Sequence, residues 1–296
     1  MTARLALLLA VLTAAANFAG PVQSPRQQPT FRATTTLVSV DVSVRRGNTP
    51  VTGLTAGDFE LTDNGVRQNI ESLSVEAVPI DVSLAVDTSG SVIGNLASFR
   101  AEVRRFATLL RPIDRIRVIA FGTAVREIVP MQPATDPLNL DQLAPGGTTS
   151  SNDGLFYALL WPTSLERRHL VIALTDGIDT NSTLSSASVI DVANRARAVF
   201  HVVLVEGFGP LTAWEKGARE AVIEAAKQSG GAVHDLARAS RDFKQIVDDF
   251  RASYVLRFEP EGVSKTGWHD LTVTLVNLDP AQHTVRARRG YWGDAR

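Results

Sequence analysis

The sequence contains no cysteine. Disulfides are therefore excluded as a source of stability, and so is lipid attachment through a cysteine. An excess of one charge sign is also missing, because the formal net charge is −1. Nothing in that balance points to nucleic acid or to an anionic membrane surface. Locally basic stretches such as residues 286–289 are too short to change this. Beyond the first twenty residues, no apolar run is long enough to span a bilayer. The histidines His169, His201, His234, His269 and His283 are scattered, and no His/Cys/Glu spacing suggests zinc. Neither an internal repeat nor a low-complexity tract is present.

What is there is ordinary globular material. With 296 residues, 44% apolar and 21% charged, the chain can bury a sizeable core. The start is different. Arg4 precedes "LALLLAVLTAAA", an apolar run of about twelve residues followed by small residues. That pattern predicts a signal peptide over 1–19, with cleavage after Ala16 or Ala19. Residues 20–32 read as a flexible leader. The mature protein is expected to be exported, periplasmic or extracellular, with no membrane span.

Residues 37–45, "LVSVDVSVR", alternate apolar and polar positions, as a half-buried strand does. Asn64-Gly65 sits between two patterned runs and signals a hairpin. Residues 33–77 therefore read as an antiparallel β segment. From residue 78 the pattern changes. Runs such as "VPIDVSLAVD", "IRVIAFG" and "HLVIALTDG" are nearly continuous apolar, as in strands covered on both faces. They alternate with helical periods, the clearest being Leu96, Phe99, Val103, Phe106 and Leu110. This predicts an α/β domain over 78–253: a doubly wound, mostly parallel sheet with helices on both faces. After Tyr254 the pattern returns to β over 254–296, with "HTVRARRGYW" as one last strand. Neither β flank has enough strands to stand alone. The two are expected to pair into a small β-sandwich into which the α/β domain is inserted.

Ligands of open α/β sheets bind outside the carboxyl ends of the strands. Asp87 and Asp176 both fall at such ends. Ser89 and Ser91 follow Asp87, and the loop "PGGTTS" at 145–150 carries Thr148. These five side chains offer only oxygen. Such a set suits a hard divalent cation, and Mg²⁺ prefers six oxygen ligands. Two carboxylates and three hydroxyls leave at least one position for water or an outside ligand.

Asp87-Thr88-Ser89-Gly90-Ser91, Gly147-Thr148 and Thr175-Asp176-Gly177 together resemble the metal-ion-dependent adhesion site (MIDAS) of von Willebrand factor type A (vWA) domains. The resemblance covers about 78–253. The flanks "PVTGLTAGDFELTDNGVRQNI" and "VRARRGYW" are similar to those of secreted bacterial vWA-related proteins. The resemblance implies a vWA/Rossmann-like fold and metal binding by Asp87, Ser89, Ser91, Thr148 and Asp176. It implies Mg²⁺, or alternatively Mn²⁺ or Ca²⁺, and a protein partner whose Glu or Asp carboxylate completes the metal shell. The expected role is a non-enzymatic, metal-dependent binding or adhesion protein. The alternative is a scaffold subunit of a cell-envelope assembly, with a purely structural metal.

Other readings of the same stretch fail. An EF-hand loop starting at Asp87 needs glycine at its sixth position and glutamate at its twelfth, where this chain has Val92 and Ser98. An aspartic protease needs two Asp-Thr-Gly turns, and neither Asp87-Thr88-Ser89 nor Asp179-Thr180-Asn181 supplies one. Helix capping by Asp87 or the serines would account for one such residue, not for oxygens on three loops. Asp153 and Asp179 read as cap and turn residues rather than ligands.

Overall fold

The computed structural model describes residues 37–75, 78–162, 166–205 and 210–293. The expected signal peptide and leader lie outside the described residues. In chain order the elements begin with β1 (Val38–Arg46), β2 (Thr49–Pro50), β3 (Phe59–Asp63), β4 (Val66–Gln68) and β5 (Ser72–Ser74). Then come β6 (Ile80–Asp87), α1 (Leu96–Ala107), β7 (Arg115–Phe121), β8 (Val125–Pro133) and α2 (Ser151–Leu159). β9 (Arg168–Thr175), α3 (Ser186–Arg195), β10 (Ala198–Leu204), α4 (Ala213–Gln228), β11 (Val233–Asp235) and α5 (Ala239–Ala252) complete the α/β portion. The chain closes with β12 (Tyr254–Phe258), β13 (Gly267–Leu275), β14 (Thr284–Ala287) and β15 (Gly290–Gly293).

The central sheet has the order β11-β10-β9-β6-β7-β8. All neighbours are parallel except β7 and β8. Every residue of β6 is buried, as its unbroken apolar run requires of a strand covered on both faces. On one face, Val82, Leu84 and Val86 pack with Phe99 and Phe106 of α1 and Phe243 and Phe250 of α5. On the other, Ala85, Ile119 and Phe121 pack with α2, α3 and α4 through Leu155, Val189 and Val222. The helical spacing read from 96–110 is the face that α1 buries. Burial of each such side chain contributes about 1.5–3 kcal/mol.

Two smaller antiparallel sheets carry the orders β14-β1-β12-β5 and β15-β13-β3-β4. Each draws strands from both ends of the chain: β1 pairs with β12, and β3 with β13. Val40, Val42 and Leu256 of the first sheet share one apolar cluster with Phe59, Leu61 and Leu271 of the second. Asn64 (φ 47°) and Gly65 (φ 79°) make the expected tight turn, closing β3 onto β4. Both positions need positive φ, which Asn and Gly tolerate best.

Three details differ from the sequence reading. "HTVRARRGYW" is not one strand. It splits into β14, on β1, and β15, on β13, and so changes sheets. At Gly290 a Cβ would lie 2.2 Å from Trp268 and 2.4 Å from the His269 carbonyl, so the crossing needs glycine. β8 was not expected from the sequence. It is an edge strand whose Pro130 and exposed Arg126 and Glu127 break the apolar pattern, as edge strands commonly do. The residues after Ser89 form a 3₁₀ helix, Gly90–Asn95, before α1 begins.

Candidate metal site

β6 and β9 are parallel neighbours, so their carboxyl ends bring Asp87 and Asp176 to one edge. Both are fully buried. Asp87 Oδ1 accepts hydrogen bonds from the Ser89 amide (2.9 Å) and the Ser89 hydroxyl (2.6 Å). The Ser89 and Ser91 hydroxyls are 3.2 Å apart. Thr175 Oγ1 donates to Asp87 Oδ2 at 2.7 Å and accepts from the Gly177 amide at 3.0 Å. Asp176 Oδ1 accepts from the Ile178 amide at 3.0 Å. Its Oδ2 is buried and has no hydrogen-bond partner among the described residues.

The glycine loop lies directly on this strand end. The Gly146 amide donates to the Thr88 carbonyl at 2.6 Å, and the Gly90 amide donates to the Gly147 carbonyl at 3.1 Å. A Cβ on Gly122 would lie 2.8 Å from Thr88 Oγ1 and 3.2 Å from Gly146 Cα, so only glycine permits this approach. Thr148 follows on the same loop, exposed, with its hydroxyl donating to Thr123 Oγ1 at 3.3 Å. The structure thus joins Asp87, Ser89 and Ser91 by direct bonds and seats the Thr148 loop against them. Thr123 was not singled out from sequence, and Thr175 entered only as part of the Thr175-Asp176-Gly177 motif, with no role of its own. Both sit at the carboxyl ends of strands, which is the signal that could have found them.

Burial pushes the Asp87 carboxyl up to about 6, against the opposing bonds from Ser89 and Thr175; the nearby Asp176 charge adds to the rise. Two close, buried carboxylates, one with an orphaned oxygen, fit a cation held between oxygen donors. Among the described residues, no three His, Cys, Asp or Glu side chains are grouped so that they alone could hold a metal ion. A cation here would depend on the hydroxyls as well as the two carboxylates. Capping does not account for them, since Ser89 makes no side-chain cap bond to the 3₁₀ helix. Asp179 instead accepts from the Asn152 and Ser182 amides, and Asp153 from the Thr183 and Leu184 amides, which are turn and loop roles.

One serine–histidine pair does exist elsewhere. Ser83 Oγ lies 2.8 Å from His169 Nε2, and Arg117 Nε donates to the same hydroxyl at 2.7 Å. All three residues are at most 2% exposed. A substrate cannot reach them, so the trio ties β6, β7 and β9 together.

Residues 69–241 match the family described as VWA domain containing CoxE-like protein. The chain belongs to this vWA family. The matched span contains all five candidate ligands. Among solved structures, the chain is similar to BatB, a conserved hypothetical protein from Bacteroides thetaiotaomicron, at 15% identity over 58% of this chain and 98% of that one (TM-score 0.44). It is similar to a von Willebrand factor type A protein from Catenulispora acidiphila at 13% identity, over 88% and 75% (TM-score 0.48). It is also similar to the vWF domain of the type V pili tip protein Mfa5 from Porphyromonas gingivalis, at 14% identity over 58% and 94% (TM-score 0.45). A comparison with curated proteins gave no match.

Proposed function

We propose that this chain is an exported, non-enzymatic binding or adhesion protein that captures an acidic group of a protein partner at its vWA edge. The observation that carries this reading is the buried Asp87–Asp176 pair, with its orphaned Asp176 oxygen, ringed by hydroxyls at one sheet edge. Asp87, Ser89, Ser91, Thr148 and Asp176 would hold Mg²⁺, or Mn²⁺ or Ca²⁺. Bound there, the cation would supply a Lewis-acidic position for a carboxylate oxygen.

The chain's own residues prepare the site. Thr175 and the Ser89 amide fix both oxygens of Asp87. The Gly122–Gly146 approach fixes the height of the Thr148 loop. In this reading 78–253 is the binding domain, and the two antiparallel sheets of 33–77 and 254–296 form a β-sandwich that carries it. Residues 1–19 direct export.

Full burial of both carboxylates also suits a purely structural metal in a cell-envelope scaffold. A pull-down from native envelope extract, with and without chelator, separates the two. Capture that is lost in chelator supports metal-dependent binding, and capture that persists supports the scaffold.

A further inference from the structure

β1 and β14 are antiparallel, with Ser43 opposite Arg286 and Arg45 opposite Thr284. Side chains alternate along each strand, so Arg45 and Arg286 stand on one face as diagonal neighbours. Val42, Val44, Val285 and Ala287 take the other face, in the apolar cluster of the two small sheets. The arginine face meets α5, whose Asp249 forms an ion pair with Arg45. His201 of β10 and His234 of β11 border the same seam, and Arg286 is close enough to help lower both rings.

The donors in this seam do not all find acceptors. Arg45 is 2% exposed. Its Nε donates to the Gly47 carbonyl and its Nη1 to Asp249, while Nη2 is buried with no partner among the described residues. Arg286 is half-buried, and among the described residues it makes no ion pair and no side-chain hydrogen bond. Burial lowers its guanidinium; Asp249 opposes this and the Arg45 charge adds to it.

The carboxylates of the surrounding elements are accounted for. Asp249 faces both arginines, and burial pushes it up against their opposing charges. Asp242 accepts from His234 Nδ1 at 3.3 Å and pairs with Arg241. Asp41, on the same face of β1, is held by Arg168. Asp248 is exposed and pairs with Lys244. Asp235 of β11 accepts from the Ala237 amide. A carboxylate can only accept, so His234 carries its proton on Nδ1 and its Nε2 accepts from His201 Nδ1 at 3.0 Å. Both rings are then neutral and serve each other. Asp249 balances one of the two guanidinium groups and leaves a positive charge over, where an unpaired buried charge is costly.

We infer that this seam binds one small oxyanion, of the phosphate or sulfate type, between Arg45 Nη2 and Arg286. Guanidinium groups meet such oxygens through parallel N–H bonds. Entry is past Arg286, which solvent reaches. The seam lies between layers of one chain, so its occupant is a free ion rather than a group on a macromolecule. Bound there, the ion ties β1 and β14 to α5, and so the small sheets to the α/β layer. The metal-site reading above is not needed for this.

The probe is inorganic phosphate, titrated into the full chain in chelator, with chloride making up a constant ionic strength. The unaltered chain should show a saturable rise in melting temperature, about 3–6 °C at a tenfold excess over the dissociation constant. Sulfate should act alike. Arg286→Gln should lose the rise, and Arg46→Gln, exposed on the next residue of β1, should keep it. Without phosphate, at low salt, Arg286→Gln should be at least as stable as the unaltered chain, because it removes an unpaired charge. In saturating phosphate it should be the less stable of the two. An arginine that only supports Asp249 would not reverse the order. Equilibrium dialysis of the unaltered chain should find one phosphate per chain. No bound phosphate, an equal rise in Arg286→Gln, the same deficit of that variant in both buffers, or a rise in chloride matching that in phosphate would each overturn the inference.

Discussion

His169 shows what burial does to a single residue here. Its ring is 2% exposed, with Nε2 on Ser83. Burial first, and the Arg117 charge second, lower it to about 3, against the opposing Asp81 charge. The native protein therefore keeps this ring neutral, while the unfolded chain takes up a proton near the ordinary 6.5. The stabilisation is complete above that value and is lost as the pH falls through it, by up to roughly 1.4 kcal/mol per pH unit. His201 and His234 are shifted down as well, with burial the first cause in each, and act with the same sign. Denaturant unfolding at pH 7 and pH 5 should show the loss, and His169→Gln should make it shallower. An unchanged slope in that variant would contradict the assignment.

Thr175 is the second residue-scale case. It is isosteric with valine, so Thr175→Val removes the hydroxyl and little else. The Asp87 oxygen it serves is buried. The substitution should destabilise by about 1–3 kcal/mol and weaken Mg²⁺ binding by roughly 10–100-fold in a calorimetric titration. Thr148→Ala is the contrast. Its side chain is exposed, so stability should change by no more than about 0.5 kcal/mol while partner binding weakens. A Thr148→Ala chain that binds the partner unchanged would remove that residue from the ligand set.

At the scale of elements, the close approach of the glycine loop to the end of β6 is the feature to disturb. Gly122→Ala places a methyl group 2.8 Å from Thr88 Oγ1. It should lift the Thr148 loop and reduce the Mg²⁺-induced rise in melting temperature. Gly94→Ala meets nothing within 4 Å and serves as the control. Equal Mg²⁺ responses in the two variants would show that the loop height does not matter.

What could be read from the sequence follows the same physics. The placement of Asp87 and Asp176 was legible because continuous apolar runs mark buried strands, and a polar residue ending such a run marks the strand's carboxyl end. α1 was legible from its period. β8 was not, because an edge strand with one exposed face and a proline loses the apolar signal. The split of β14 from β15 was also hidden. It depends on Gly290 meeting Trp268 and His269, a contact between segments that no local pattern reports. Thr123, just past the end of β7, could be placed at that edge, but its bond to Thr148 on a distant loop could not be read from any local pattern.

At the scale of the molecule, the two ends of the chain share their sheets. β1 lies between β12 and β14, and β3 pairs with β13. Truncation after Ser253 would strip β1 of both long neighbours and leave its edges open. The truncated chain should aggregate, as size-exclusion chromatography would show, whereas a soluble, ordered product would argue that the flanks are independent.

The central claim is that the Asp87 edge binds a divalent cation. Its most direct test is thermal unfolding with and without Mg²⁺, in the unaltered chain and in Asp87→Ala. At a hundredfold excess over the dissociation constant, binding to the native state alone adds about 2.7 kcal/mol. For a chain of this size that is a rise of about 5–10 °C. The account predicts that rise in the unaltered chain and none in Asp87→Ala. An equal rise in both, or none in either, would contradict it.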